Sequence, residues 1–215
     1  MLQTGLFAGF LTALIYSLVQ SVTVTPIIYE AERIEFASNN NIDTHTGAEI
    51  KRYTLTLLTN IVTSIGFSFL IVAGFICSKR EISIREGIWW GIFGYFVFIL
   101  APALGLPPEV PGSITTPVEG RQIWWLATVF ATATGIGFGF FINNIYVRST
   151  CVFIVILPHI IGAPSIPDLK PGLVPLELAS YYVVWTLFTS LIFWLILGAT
   201  TAVIYQRLKI SSRNQ

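Results

Sequence analysis

Six stretches of this chain contain no Asp, Glu, Lys or Arg: Met1 to Tyr29, Tyr53 to Ser78, Gly87 to Pro108, Gln122 to Val147, Ser149 to Pro167 and Leu178 to Gln206. They run for 29, 26, 22, 26, 19 and 29 residues. A helix needs about 20 mostly apolar residues to cross a bilayer. Inside lipid the backbone must satisfy its own hydrogen bonds, so such stretches form helices. A transmembrane barrel would instead show alternating segments of about 10 residues, and these stretches do not alternate. Charged residues make up 11% of the chain, against about 25% in a soluble domain. A net charge of +1 argues against a nucleic-acid binder. Two cysteines, Cys77 and Cys151, are too few for a disulfide scaffold.

The fold class read from this pattern is all-α, a polytopic transmembrane helical bundle. It forms one domain over 1–210, with a cytoplasmic tail at 211–215. The six spans fall at about 4–28, 54–77, 86–104, 121–143, 149–163 and 178–206. The fifth is the shortest. Pro164 and Pro167 predict its end near Ala163, leaving about 15 residues or roughly 22 Å. It is either a short sixth span or a re-entrant segment, and Pro158 should kink it. The first stretch lacks a positive n-region and exceeds the usual h-region of about 7 to 15 residues, so it reads as a permanent helix.

The bias of Lys and Arg sets orientation. With six spans and both termini in the cytoplasm of a cell-membrane protein, the inner side holds seven basic residues and two acids. The outer side holds five basic residues and nine acids, among them Glu30, Glu32, Glu35, Asp43, Glu109, Glu119 and Asp168. Trp89 with Trp90, and Trp124 with Trp125, fall near span ends, where aromatic rings anchor at the interface.

Two outer connections share a design. Pro102 to Gly112 reads P-A-L-G-L-P-P-E-V-P-G, and Pro158 to Gly172 also alternates Pro and Gly around an acid before a closing Pro-Gly. Three outward helical hairpins would explain it; helix termination by Pro and Gly explains it too. Gly5 with Gly9, Gly87 with Gly91, and Gly135 with Gly139 let helices approach closely. They suit packing within the bundle, against a partner helix or between copies in a homo-oligomer.

No Walker motif, H-E-x-x-H, C-x-x-C or G-x-S-x-G occurs, so no catalytic residue and no cofactor is expected. The candidate metal residues are His159, Glu30, Glu32, Glu109 and His45. His159 follows Pro158 near an outer helix end, where an ionisable group points to function. Glu30 and Glu32 follow the first span, Glu109 sits in the Pro-rich loop, and His45 lies between spans 1 and 2. Their acid excess would gather cations. Imidazole with carboxylate suits a divalent transition metal, and equally a proton relay. Cys77 and Cys151 read as small packing residues. Tyr16, Gln20, Asn60, Thr63, Ser64, Thr128 and Thr132 can bond across helices.

Five blocks together resemble the CbtA-type cobalt transporter subunit family: V-T-P-I-I-Y-E-A-E (Val24 to Glu32), A-P-A-L-G-L-P-P-E-V-P-G (Ala101 to Gly112), R-Q-I-W-W-L-A-T (Arg121 to Thr128), L-P-H-I-I-G-A-P (Leu157 to Pro164) and F-W-L-I-L-G (Phe193 to Gly198). The resemblance implies a subunit of a Co2+ uptake system linked to cobalamin supply. It implies a small, single-span, His-bearing membrane partner. It also implies five spans, where the charge count favours six. The region between spans 1 and 2 carries one histidine, His45, where relatives have more.

The expectation is a permease subunit for a divalent metal. Its rivals are a non-conducting scaffold for a partner transporter and, more remotely, an intramembrane enzyme.

Overall fold

The computed structural model describes residues 1–39, 45–165 and 174–213. Asp43, Pro167, Asp168 and the Pro-Gly pair at 171–172 lie outside them, as does the side chain of His45. The described residues form helices and connecting loops, with no strand among them. We number the helices α1 (Leu2–Val22), α2 (Val24–Asn39), α3 (His45–Ser78), α4 (Ile84–Ala103), α5 (Val118–Phe141), α6 (Ile145–Ile161) and α7 (Leu176–Arg213). Five of them, α1, α3, α4, α5 and α7, are long and apolar enough to cross a membrane. The sixth apolar helix, α6, has 17 residues. At roughly 25 Å it is a little shorter than the bilayer's hydrocarbon core.

Several helix boundaries depart from the sequence reading: α3 begins at His45 rather than near 54 and α7 runs on to Arg213, and two further departures have clear local reasons. The first charge-free stretch is not one helix over 4–28. It breaks at Thr23, whose hydroxyl donates to the Val19 carbonyl at 2.7 Å. Pro26 has no N–H to offer the Val22 carbonyl four residues back, which weakens continuation at the same point. The chain resumes as α2, so Glu30, Glu32 and Glu35 lie on a helix rather than in a loop. The second departure is α6, which starts at Ile145 rather than near 149. Asn144 caps it, its side-chain oxygen accepting from the Tyr146 N–H at 2.9 Å. It ends at Ile161, before Pro164, because Gly162 turns to a φ of +89°.

Contacts divide the chain into two compact units, with boundaries inside α2, α4 and α7. The first contains α1, the start of α2 as far as Ile27, α3, α4 as far as Ile92, and α7 from Phe188. Here α1 runs antiparallel to α3, and α4 antiparallel to α7. Glycines set both crossings. Gly5 lies on the Phe69 ring and Gly9 on the Ile65 backbone. Gly87 meets the Gly198 carbonyl, and Gly91 meets the Trp194 carbonyl. The aromatic core is Tyr16, Phe67, Phe193 and Trp194, with Phe67 and Trp194 centred 4.7 Å apart.

The polar pattern of this unit is inverted relative to a protein in water. Thr12, Ser64, Ser68, Thr189 and Thr201 are fully buried, while Leu2, Phe7, Leu18 and Val22 face outward. The hydroxyls join helices: Thr12 with Thr200 at 2.9 Å, Ser68 with Thr201 at 3.2 Å. Asn60 on α3 donates to both Ser17 (2.9 Å) and Gln20 (2.7 Å) on α1. Lipid supplies no hydrophobic drive between helices, so close packing and such bonds hold them together, at about 0.6 kcal/mol per bond. Large apolar side chains turned outward and hydroxyls turned inward suit a bilayer solvent.

The second unit contains α2 from Ile28 to Ser38, α4 from Phe93, α5, α6 and α7 as far as Leu187. Near its end α4 widens into a π turn over Phe96–Leu100, with the Ala101 N–H reaching back to the Phe96 carbonyl. Pro102 lacks an N–H and its ring crowds the Phe98 carbonyl, so a wider turn relieves the clash. Helices α5 and α6 form an antiparallel pair joined by residues 142–144. Gly135 lies against Val155 and the Cys151 carbonyl, and Cys151 is buried there as a small packing residue.

Candidate functional site

The predicted residue His159 packs on Trp124, in the second turn of α5. Sequence reading placed this indole as an interfacial anchor. It is 7% exposed and structural instead. Its Nε1–H donates to the Pro158 carbonyl at 3.3 Å. That carbonyl also accepts the Gly162 N–H at 3.0 Å, so it closes the last turn of α6 and ties that turn to α5. His159, the next residue, packs edge-to-face on the same indole, with ring centroids 5.6 Å apart and planes at 74°. The imidazole is thus held by the proline turn on one side and by an aromatic face on the other.

The loop over 104–117 closes onto this node. Pro102 accepts the Leu106 N–H at 2.9 Å as α4 ends. Gly105 then lies flat on the Trp124 ring and beside Ala163, leaving no room for a Cβ. Further along, Val110-Pro111-Gly112-Ser113 makes a turn in which the Ser113 N–H reaches the Val110 carbonyl at 3.2 Å. Pro at its second position and Gly112, at φ +79°, at its third are the type II pattern. Gly112 brings the loop close to Glu35 on α2. Glu109, carried between these two anchored points, pairs with Arg121 in the first turn of α5 at 2.6 Å.

Of the predicted metal residues, His159 and Glu109 are both fixed to α5, through Trp124 and Arg121. Glu30 and Glu32 lie on α2 in the same unit. Glu30 pairs with Arg33 at 2.8 Å, both side chains well exposed. His45 opens α3, in the other unit. Among the described residues, no group of three or more His, Cys, Asp or Glu side chains is placed to hold a metal ion together. Glu30 and Glu109 are each compensated by an arginine.

Sequence reasoning missed two participants. Arg121 was visible only as a basic residue on the acid-rich side; its pairing joins positions 12 residues apart through a loop. Trp124 was visible as an aromatic at a helix end. The available hint was that both stand one turn apart on α5, in the block R-Q-I-W.

A protein-family profile described as "Probable cobalt transporter subunit (CbtA)" matches residues 1–206. No curated protein and no solved structure matches the chain.

Proposed function

The chain belongs to this family of cobalt transporter subunits, and from that premise we propose that it is the permease itself, carrying Co2+ across the cell membrane past His159. The observation that supports this most is the placement of His159 beside the α6 proline turn, braced by Trp124. Pro158 has no N–H to offer the Ile154 carbonyl four residues back, and an imidazole near a backbone oxygen left in this way can join it in binding a transition metal. Glu30, Glu32 and Glu109 draw the hydrated ion to the mouth, and His45 contributes a further imidazole on that side. The mouth faces outward and both termini face the cytoplasm, as the Lys and Arg bias requires. The cargo supplies cobalamin synthesis. A small single-span, His-bearing membrane subunit delivers metal to the mouth.

A second reading, a non-conducting scaffold, is favoured by the lack of a converging metal-ligand group among the described residues. The two readings share a first test. Deleting the gene should lower uptake of radiolabelled Co2+ by cells about ten-fold or more, the scale seen when a metal site loses a supporting group. Restoring the chain should restore uptake. Uptake unchanged by deletion would remove both readings.

A further inference from the structure

The pairing of Glu109 with Arg121 ties the loop to α5, but it is not the loop's only anchor. Its side chains are 31% and 29% exposed, so water reaches the pair and screens it in part. Arg121 also stands in the first turn of α5, where the helix dipole disfavours a cation. The loop already has two other anchors, Gly105 on Trp124 and the Gly112 turn beside Glu35. A cation placed against the dipole, on a loop already held, points to a role in the electrostatics of the mouth.

We infer that Arg121 is a tethered competitor for the metal at Glu109 and sets the affinity of the mouth. This rests on the transport reading above and adds the means by which the site is tuned. A guanidinium remains charged at any physiological pH. With Nη2 at 2.6 Å it occupies one carboxylate oxygen, Oε2. A divalent ion binding Glu109 must displace or share that contact. The pair is exposed enough to yield to a doubly charged ion, yet close enough to weaken binding of a dilute one. The device keeps the mouth from holding its cargo too tightly, since a pathway site must also release what it binds.

The test is titration calorimetry of CoCl2 into the full chain held in lipid nanodiscs. The wild type should bind Co2+. Arg121→Gln should bind about three- to five-fold more tightly, the scale of an exposed ion pair. Arg121→Lys keeps a cation at the site and should stay within about two-fold of wild type, since charge rather than fork geometry does the competing. Glu109→Gln should bind more weakly, and adding Arg121→Gln to it should restore nothing. A monodisperse Arg121→Gln protein with unchanged or weaker affinity would overturn the inference while leaving the transport reading intact. So would Arg121→Lys gaining as much affinity as Arg121→Gln. A wild-type chain that binds no Co2+ would overturn the transport reading, and the inference with it.

Discussion

Gly198→Val should largely abolish recoverable folded protein. A Cβ at this position would run into the Gly87 carbonyl, with the Gly91 amide nitrogen also in close range. Both obstacles are backbone, so no side chain can swing away. Overpacking a well-packed core costs about 1 to 3 kcal/mol when side chains can adjust. Here α4 and α7 must separate, and the loss should reach the upper end of that range or beyond. Against a total stability of about 5 to 15 kcal/mol, that is a large share. Separation would also pull Gln206 from the Ile82 carbonyl that it bonds. Gly66→Val is the matched control, because nothing lies within 4 Å of a Cβ there. Fluorescence-detected size exclusion after heating should show the Gly198 variant aggregated at temperatures where the Gly66 variant and the wild type stay monodisperse. Equal thermal midpoints for the two variants would refute the close crossing of α4 and α7.

His159→Ala should lower cellular Co2+ uptake by about ten-fold or more at equal membrane levels, as expected when a metal site loses a nitrogen ligand or its support. The side chain occupies a turn whose carbonyl, at Pro158, is already taken by Trp124 and Gly162. The backbone there is held without the imidazole, so removing it should leave the turn in place. Ile160→Ala, one residue on and facing outward, serves as the control and should leave uptake unchanged. Equal uptake by His159→Ala and wild type would remove His159 from the pathway.

The gross architecture was legible because a bilayer imposes a simple code. Long charge-free stretches mark spanning helices, and the small-residue pairs marked positions of close approach. Gly5, Gly9, Gly87, Gly91 and Gly135 do sit at helix crossings. Their partners were not legible, because Gly198 and Ile65 lie on helices far away in sequence. Neither was the break at Thr23: hydrophobicity continues through it, and only the combination of a back-bonding hydroxyl with Pro26 interrupts the helix. At the site, Pro158, His159 and Glu109 stood out by residue type. Their settings did not, since a basic residue and a tryptophan at a helix end carry no mark of what they will touch. The acid-rich side looked like a free anionic field, yet Glu30 and Glu109 each hold an arginine.

Entry of Co2+ down its gradient into liposomes holding only the purified chain addresses the permease claim directly. The account predicts entry faster than into protein-free liposomes, and slowed by His159→Ala. Entry no faster than into protein-free liposomes, with the chain folded and correctly inserted, would contradict it and leave the scaffold reading in its place.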